Sequence, residues 1–242
     1  MTRLFNGIVA FGSVLLLAVT LIGAGFAAVA IPDAATATLS RAFSGCDQPS
    51  TPFTADELTS IAIAGKHYTF DDNDREKLDA AIAEANAAAE ADGRAAASTR
   101  ESAARSLPTD AISHLDDVYR VASVAKPALV IVAVLCIAGL AHVAVRISRR
   151  TLGRTLMAGG GLVLAAFCAL GAWAAIDFDG LFATFHSLFF QAGTWTFPYD
   201  SLLITLYPTA FWMGMGGIWL AVTCIASIIC IIVGRLLCSK SK

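Results

Sequence analysis

Four long apolar runs divide the chain, and all of its acidic and most of its polar residues fall between them. The first, Phe5 to Ile31, holds no charged residue and exceeds the ~20 residues that cross a bilayer as a helix. The others run from about Pro127 to Val145, Leu156 to Ile176 and Pro208 to Val233. Each predicts a membrane-spanning helix. Arg3 before the first run, and the small residues Ala34 to Ala37 after it, resemble a signal peptide, but the length of the run favours an uncleaved span. The pattern therefore predicts an all-α membrane protein with seven segments. Residues 1–31 form span one, 32–126 an extracytoplasmic domain and 127–145 span two. Residues 146–155 form a basic loop and 156–176 span three. Residues 177–207 form an interfacial aromatic helix or loop, and 208–242 the fourth span with its tail.

The extracytoplasmic domain reads as mainly helical. Thr54-Ala-Asp-Glu57 is a capping box, in which hydroxyl and carboxylate satisfy free N–H groups at a helix start. Leu58, Ile61 and Ala62 follow on one face, and Gly65 is placed to end that helix. Asp71 to Asp74 offer caps for a second helix with a stripe of Leu78, Ile82 and Ala85. Residues 86–106 are Ala-rich and polar, compatible with a thin helix or a mobile arm. Leu107-Pro108-Thr109-Asp110 starts a third helix, and Lys126-Pro127 marks a bend before span two. Large apolar residues are few here, so the domain is expected to lean on the membrane part.

Charge adds an orientation. Every Asp and Glu lies between 32 and 125 or between 177 and 200. Arg3, the loop from Arg146 to Arg154, and the tail with Arg235, Lys240 and Lys242 carry only positive charge. Lys and Arg near span ends stay on the cytoplasmic side, so both termini are expected inside a cell membrane. A chain that is 57% hydrophobic with mean hydropathy +0.68 is not an ordinary soluble domain. Its net charge of −2, with no basic stripe, gives no reason to expect nucleic acid. Cys136, Cys168, Cys224 and Cys230 fall in apolar spans, Cys238 in the tail and Cys46 outside, so neither a disulfide framework nor a CxxC pair is present.

The chemistry gathers between Asp177 and Trp212, a stretch dense in Phe, Trp and Tyr that suits a membrane–water boundary. Within it, Phe182, Phe185, Phe189 and Phe190 lie a turn or less from His186. A desolvated imidazole stays neutral, as a base must. His114 has Asp117 three residues on, beside it on a helix, where the carboxylate could fix its tautomer; Asp116 points nearly opposite. The competing reading is an exposed ion pair at His114 and an interfacial core histidine at His186. His142, a turn before Arg146, reads as structural, and His67, after the expected helix end, as solvated. His114, Asp116 or Asp117, His186 and Asp200 could instead ligate a metal, yet no H-E-x-x-H spacing supports one. No G-x-S-x-G, Walker or dinucleotide motif occurs, so no cofactor is expected. Gly214, Gly216 and Gly217 suit close helix packing.

These motifs also carry a resemblance. Phe185-His186-Ser187-Leu188-Phe189-Phe190, Trp195, Phe197, Asp200-Ser-Leu202-Leu203-Ile204 and Pro208-Thr-Ala-Phe211-Trp212 resemble the signature of a bacterial four-span membrane family that includes the lipoprotein intramolecular transacylase. Ser113-His114-Leu115-Asp116-Asp117-Val118 is similar to its second motif, a His followed by Asp-Val. The resemblance implies an enzyme that moves the sn-2 acyl chain of a diacylglyceryl lipoprotein onto the amine of its N-terminal cysteine. It also implies contact with membrane lipid and two catalytic histidines, falling on His114 and His186. On that footing His186 would act at the ester while His114, held by Asp117, handles amine protons, or the reverse. Trp195, Tyr199 or Thr194 would donate to the oxyanion, Asp200 would anchor the stretch, and Phe185 and Phe189 would receive acyl chains. The alternative is a non-catalytic membrane protein whose histidine motifs anchor the outer domain or bind a metal.

Overall fold

The computed structural model describes residues 2–239. Among them the chain is helix and turn, without strands. Four helices are long and apolar enough to span a membrane: α1 (Thr2–Ala30), α5 (Thr109–His142), α6 (Arg149–Ile176) and α9 (Thr209–Ser239). The protein is a multi-pass membrane protein. Between them come α2 (Asp33–Phe43), α3 (Ala55–Phe70), α4 (Arg75–Ala91), α7 (Phe178–Phe189) and the short α8 (Leu202–Leu206).

Several local expectations change. The basic stretch 146–155 is almost entirely helical. A π turn at Val143–Ile147 leads to Ser148, whose hydroxyl caps α6 by accepting from the Thr151 N–H. One capping residue thus replaces a loop. Likewise α5 runs through Pro127 without an assigned break, although proline supplies no N–H there.

The chain divides into two compact units. The first comprises the segments up to Val29, Ala125–Phe178 and from Ile218 onwards. It is a bundle whose core joins Leu17, Leu21, Cys136, Val163 and Phe167, with Trp219 and Leu220 against them. Val130, Ile131, Ile137, Ile225 and Ile229 are more than half exposed, as lipid-facing side chains are. The bundle's helices approach closely at glycines: a Cβ on Gly153 would lie 2.5 Å from the Gly234 carbonyl oxygen, and the converse distance is also 2.5 Å. Here His142 stacks edge-on against Phe5 and lies 3.4 Å from Asn6 Oδ1, a packing role.

The second unit comprises Ala30–Val124 and Asp179–Gly217. The capping box forms as expected, with Thr54 and Glu57 bonding each other's backbone N–H groups. Asp74 caps α4. The core gathers Leu58, Ile61, Leu78, Ile82 and Leu115. It is completed by Leu202, Leu203 and Leu206 from α8, so the later segment supplies the apolar surface that 32–126 lacks. Gly65 does not end α3. It sits inside the helix, where a Cβ would come within 2.5 Å of Tyr207 Oη, and that hydroxyl donates to the Ala62 carbonyl at 2.8 Å. Of the glycines at 214, 216 and 217, only Gly214 serves close packing, against Leu39.

The Ala-rich region is ordered by charge as well as by apolar contact, since Ala89 is buried in the core and Ala95 packs against it. Arg105 is 3% exposed; it donates to Asn86 Oδ1, the Ala96 carbonyl, Thr99 Oγ1 and Glu90 Oε1. Arg94 similarly grips both Glu57 oxygens. His67, expected in water after a helix end, lies in the last turn of α3 and bridges Asp33 and Asp71 at 3.0 and 2.9 Å.

Candidate functional site

Both candidate histidines lie in the second unit, and its folding brings them together. Ala111, Ile112 and Leu115 bury one face of α5 in the core, which turns the neighbouring His114 away from it yet leaves it only 8% exposed. Tyr68 of α3 donates its hydroxyl to Asp116, fixing the rotation of α5 at the residue next to Asp117. On α7, His186 is anchored from within: its Nδ1–H donates to the Phe182 carbonyl one turn back, at 2.9 Å. This assignment of the ring proton follows from the bond, because a carbonyl can only accept. It leaves the His186 Nε2 lone pair available. Beyond α7 the chain turns back through Gln191 to Thr194, where Gly193 takes φ +86°, a conformation a Cβ would oppose. Trp195 and Phe197 are thereby laid on the two imidazoles.

The imidazole rings stack 6.1 Å apart, centroid to centroid, with 28° between their planes. Phe182 and Trp195 lie 4.0 and 4.9 Å from His186. Phe190 and Phe197 lie 5.0 and 5.6 Å from His114. This aromatic surround removes water, and burial is the main reason His114 falls to about 4, reinforced by the nearby His186 and only partly offset by Asp117. Burial also lowers His186, against the opposing effect of the Phe182 carbonyl. Both rings are therefore neutral at pH 7. Two polar atoms in this cluster are buried with no hydrogen-bond partner among the described residues: His114 Nδ1 and Trp195 Nε1. Orphaned buried groups are rare and ask for an explanation.

The remaining expected residues separate. Asp117 does not bond His114; it faces outward and accepts from Arg120 at 3.1 Å, since its short side chain on the next turn reaches the exposed guanidinium instead. Tyr199 is 63% exposed and donates to the Asp47 carbonyl, while its own carbonyl accepts from Gln48. Thr194 donates to the Gln191 carbonyl. Asp200 lines a small cavity with Gln48, Ser50, Thr51, Ala104 and Thr205, apart from the imidazole cluster. Phe185 and Phe189 are each 48% exposed on α7, and Phe185 meets His186 edge-on at 5.7 Å. Besides Trp195, the closest aromatic contacts come instead from the phenylalanines Phe182, Phe190 and Phe197. The helical offsets from His186 gave a signal for the first two; Phe197 was signalled only by the resemblance. Among the described residues no three His, Cys, Asp or Glu side chains are grouped to hold a metal, because Asp116 is taken by Tyr68 and Asp117 by Arg120.

The membrane-integral lipoprotein intramolecular transacylase Lit from Bacillus cereus superposes with a TM-score of 0.74, at 18% identity, over 98% of this chain and 97% of that one. Two variants of that protein, with a histidine replaced by arginine or by alanine, give TM-scores of 0.67 and 0.68 at 17% identity. Each covers 99% of this chain, and 95% and 96% of the other. At such identities the likeness speaks for the fold. A family model described as "Lipoprotein intramolecular transacylase Lit" matches residues 94–212, just under half of the chain. The chain is Lit-like. The matched stretch holds both histidines and every aromatic side chain that touches them. No curated protein matches the sequence. The Lit family is a family of enzymes, lipoprotein intramolecular transacylases.

Proposed function

We propose that this Lit-like chain moves the sn-2 acyl chain of a diacylglyceryl lipoprotein onto the α-amine of that lipoprotein's N-terminal cysteine. The observation that carries the reading is the pair of neutral, stacked imidazoles under aromatic cover, 6.1 Å apart. Both lie in the region matched by the family model. The substrates are the diacyl lipoprotein and the lipid around it.

The chemistry follows from the two environments. The amine attacks the ester carbonyl carbon, a C–N bond forms, and the carbonyl electron pair moves onto oxygen. The attacking nitrogen sheds a proton. His186 Nε2 takes it, because the Nδ1–H bond to the Phe182 carbonyl raises the ring's basicity and leaves that lone pair free. The tetrahedral centre then collapses, the C–O bond to glycerol breaks, and the departing oxygen needs a proton. His114 supplies it from its own ring N–H as the proton taken by His186 passes to its other nitrogen, so both imidazoles end the cycle neutral. Donor and acceptor belong to one molecule, so holding the lipid in one pose supplies proximity as well as orientation. The half-exposed Phe185 and Phe189 offer an apolar surface to the acyl chain. In this proposal both termini are cytoplasmic, which places the histidines at the outer face of the cell membrane, where lipoproteins are displayed.

The test is mass spectrometry of lipoprotein N-termini from membranes with and without the protein. An N-acyl, lyso-form product that depends on His114 and His186 is the expected result. Full conversion by both alanine variants would overturn the proposal. If the variants lost melting temperature and no chain had moved, the anchoring role would stand in its place.

A further inference from the structure

The tetrahedral intermediate places a negative charge on the former carbonyl oxygen, in surroundings that exclude water. Such a charge requires a donor already in position. Of the three side chains the sequence offered for this, two are committed elsewhere. The Tyr199 hydroxyl donates to the Asp47 carbonyl at 3.1 Å, and the Thr194 hydroxyl to the Gln191 carbonyl at 2.9 Å. Trp195 differs. Its indole Nε1 is buried and has no partner among the described residues, and its ring lies 4.9 Å from the imidazole of His186. An indole nitrogen only donates, so it can have no role as base or ligand. The other orphaned atom of the cluster, His114 Nδ1, belongs to a ring that moves protons.

We infer that the Trp195 indole N–H is the oxyanion donor of the transfer reaction, a catalytic residue beside the two histidines. The inference rests on the acyl-transfer reading. In the resting protein the N–H is unbonded; in the intermediate it meets the oxygen that has just gained an electron pair. The bond is made only when charge develops, so it accelerates the chemical step more than it tightens substrate binding. Gly193 has a part in this, because the turn at φ +86° is what returns the chain so that Trp195 reaches His186.

The experiment uses the full-length protein in lipid bilayers with a synthetic diacylglyceryl lipopeptide. Trp195 is replaced by β-(3-benzothienyl)alanine, which keeps the shape of the indole and substitutes sulfur for N–H, and separately by Phe. Both variants are expected to lose ~10²–10³-fold in kcat with KM little changed. A phosphonate analogue of the tetrahedral centre should lose affinity in both by a similar factor, while an ether-linked lipopeptide, which has no carbonyl, binds them as it binds the wild type. If Trp195→Phe fails to fold, the benzothienyl protein decides. A benzothienyl protein with wild-type kcat and phosphonate affinity would overturn the role of the indole. If the wild type itself moves no acyl chain, the acyl-transfer reading falls instead.

Discussion

In the bundle, Ser13, Thr20 and Ser227 each donate to a carbonyl one turn earlier in their own helix. In the second unit, polar side chains reach between distant parts of the chain. Lys66 donates to the Ile31 carbonyl, Gln48 to Tyr199, Ser44 to Leu206 and Tyr207 to Ala62. The bundle has a few bonds of this kind, Trp219 to the Ile22 carbonyl and His142 beside Asn6, but its helices come closest at glycine, with the backbones at Gly153 and Gly234 nearly touching. The difference follows from solvent. In hydrocarbon every polar group must be satisfied within reach, and apolar burial does not distinguish a neighbouring helix from lipid, so close van der Waals fit decides the packing. Where water is available, apolar burial drives collapse and long-range hydrogen bonds fix the result. The histidine cluster follows neither pattern: it is dry and aromatic, and it keeps two polar atoms without partners among the described residues.

If that contrast is right, the histidine cluster should tolerate loss of a polar group structurally but not catalytically. His114→Ala and His186→Ala are each expected to slow acyl transfer ~10²–10⁴-fold while melting close to the wild type. Rates on a lipopeptide together with thermal unfolding check this. The pH dependence has a definite sign. Both rings hold their pKa below the ordinary 6.5, so the unfolded chain binds more protons than the folded one as acid is added. Stability contributed by these groups is present above about 6.5 and is lost as pH falls towards about 4. The acid limb of kcat/KM should likewise lie below 6.5, and a limb above that value would break the argument.

The next largest effect belongs to the Arg105 network. Arg105→Met leaves Asn86 Oδ1 and the Ala96 carbonyl without their donor while Glu90 keeps Arg100, and should cost ~2–4 kcal/mol, measured by denaturant unfolding. In the bundle the sensitive change is an addition rather than a removal. Gly153→Ala pushes a methyl group into the Gly234 carbonyl and is expected to cost ~1–3 kcal/mol, read as a lower melting temperature in detergent. Smallest is Tyr207→Phe, which removes one hydrogen bond to Ala62 and should cost about 1 kcal/mol. The same change should rescue part of the damage done by Gly65→Ala, because the clashing atom is the tyrosine hydroxyl.

Much of this molecule was legible from pattern. The four spans stand out because a bilayer demands unbroken apolar length, and the capping box and Asp74 cap because their bonds form within four residues. His186 stood out because its neighbours at helical offsets are aromatic. Other readings failed where distant contacts decide. Gly65 looked like a helix end, but Tyr207, far along the chain, determines what glycine does there. Asp117 sat at the right helical offset from His114, yet the rotamer that reaches Arg120 wins because that guanidinium is nearby and exposed. Residues 86–106 gave no long apolar stripe because much of their order comes from Arg94 and Arg105, whose partners are not their helical neighbours.

The sequence alone determined the helical class, the number of spans and the two histidines worth asking about, since periodicity, length and local capping are properties of neighbouring residues. Only the tertiary structure decided that those imidazoles stack, that Trp195 and Phe197 cover them, and that the indole N–H and His114 Nδ1 are left without partners among the described residues. Those facts depend on distances between residues far apart in the chain, which no local pattern of side chains encodes.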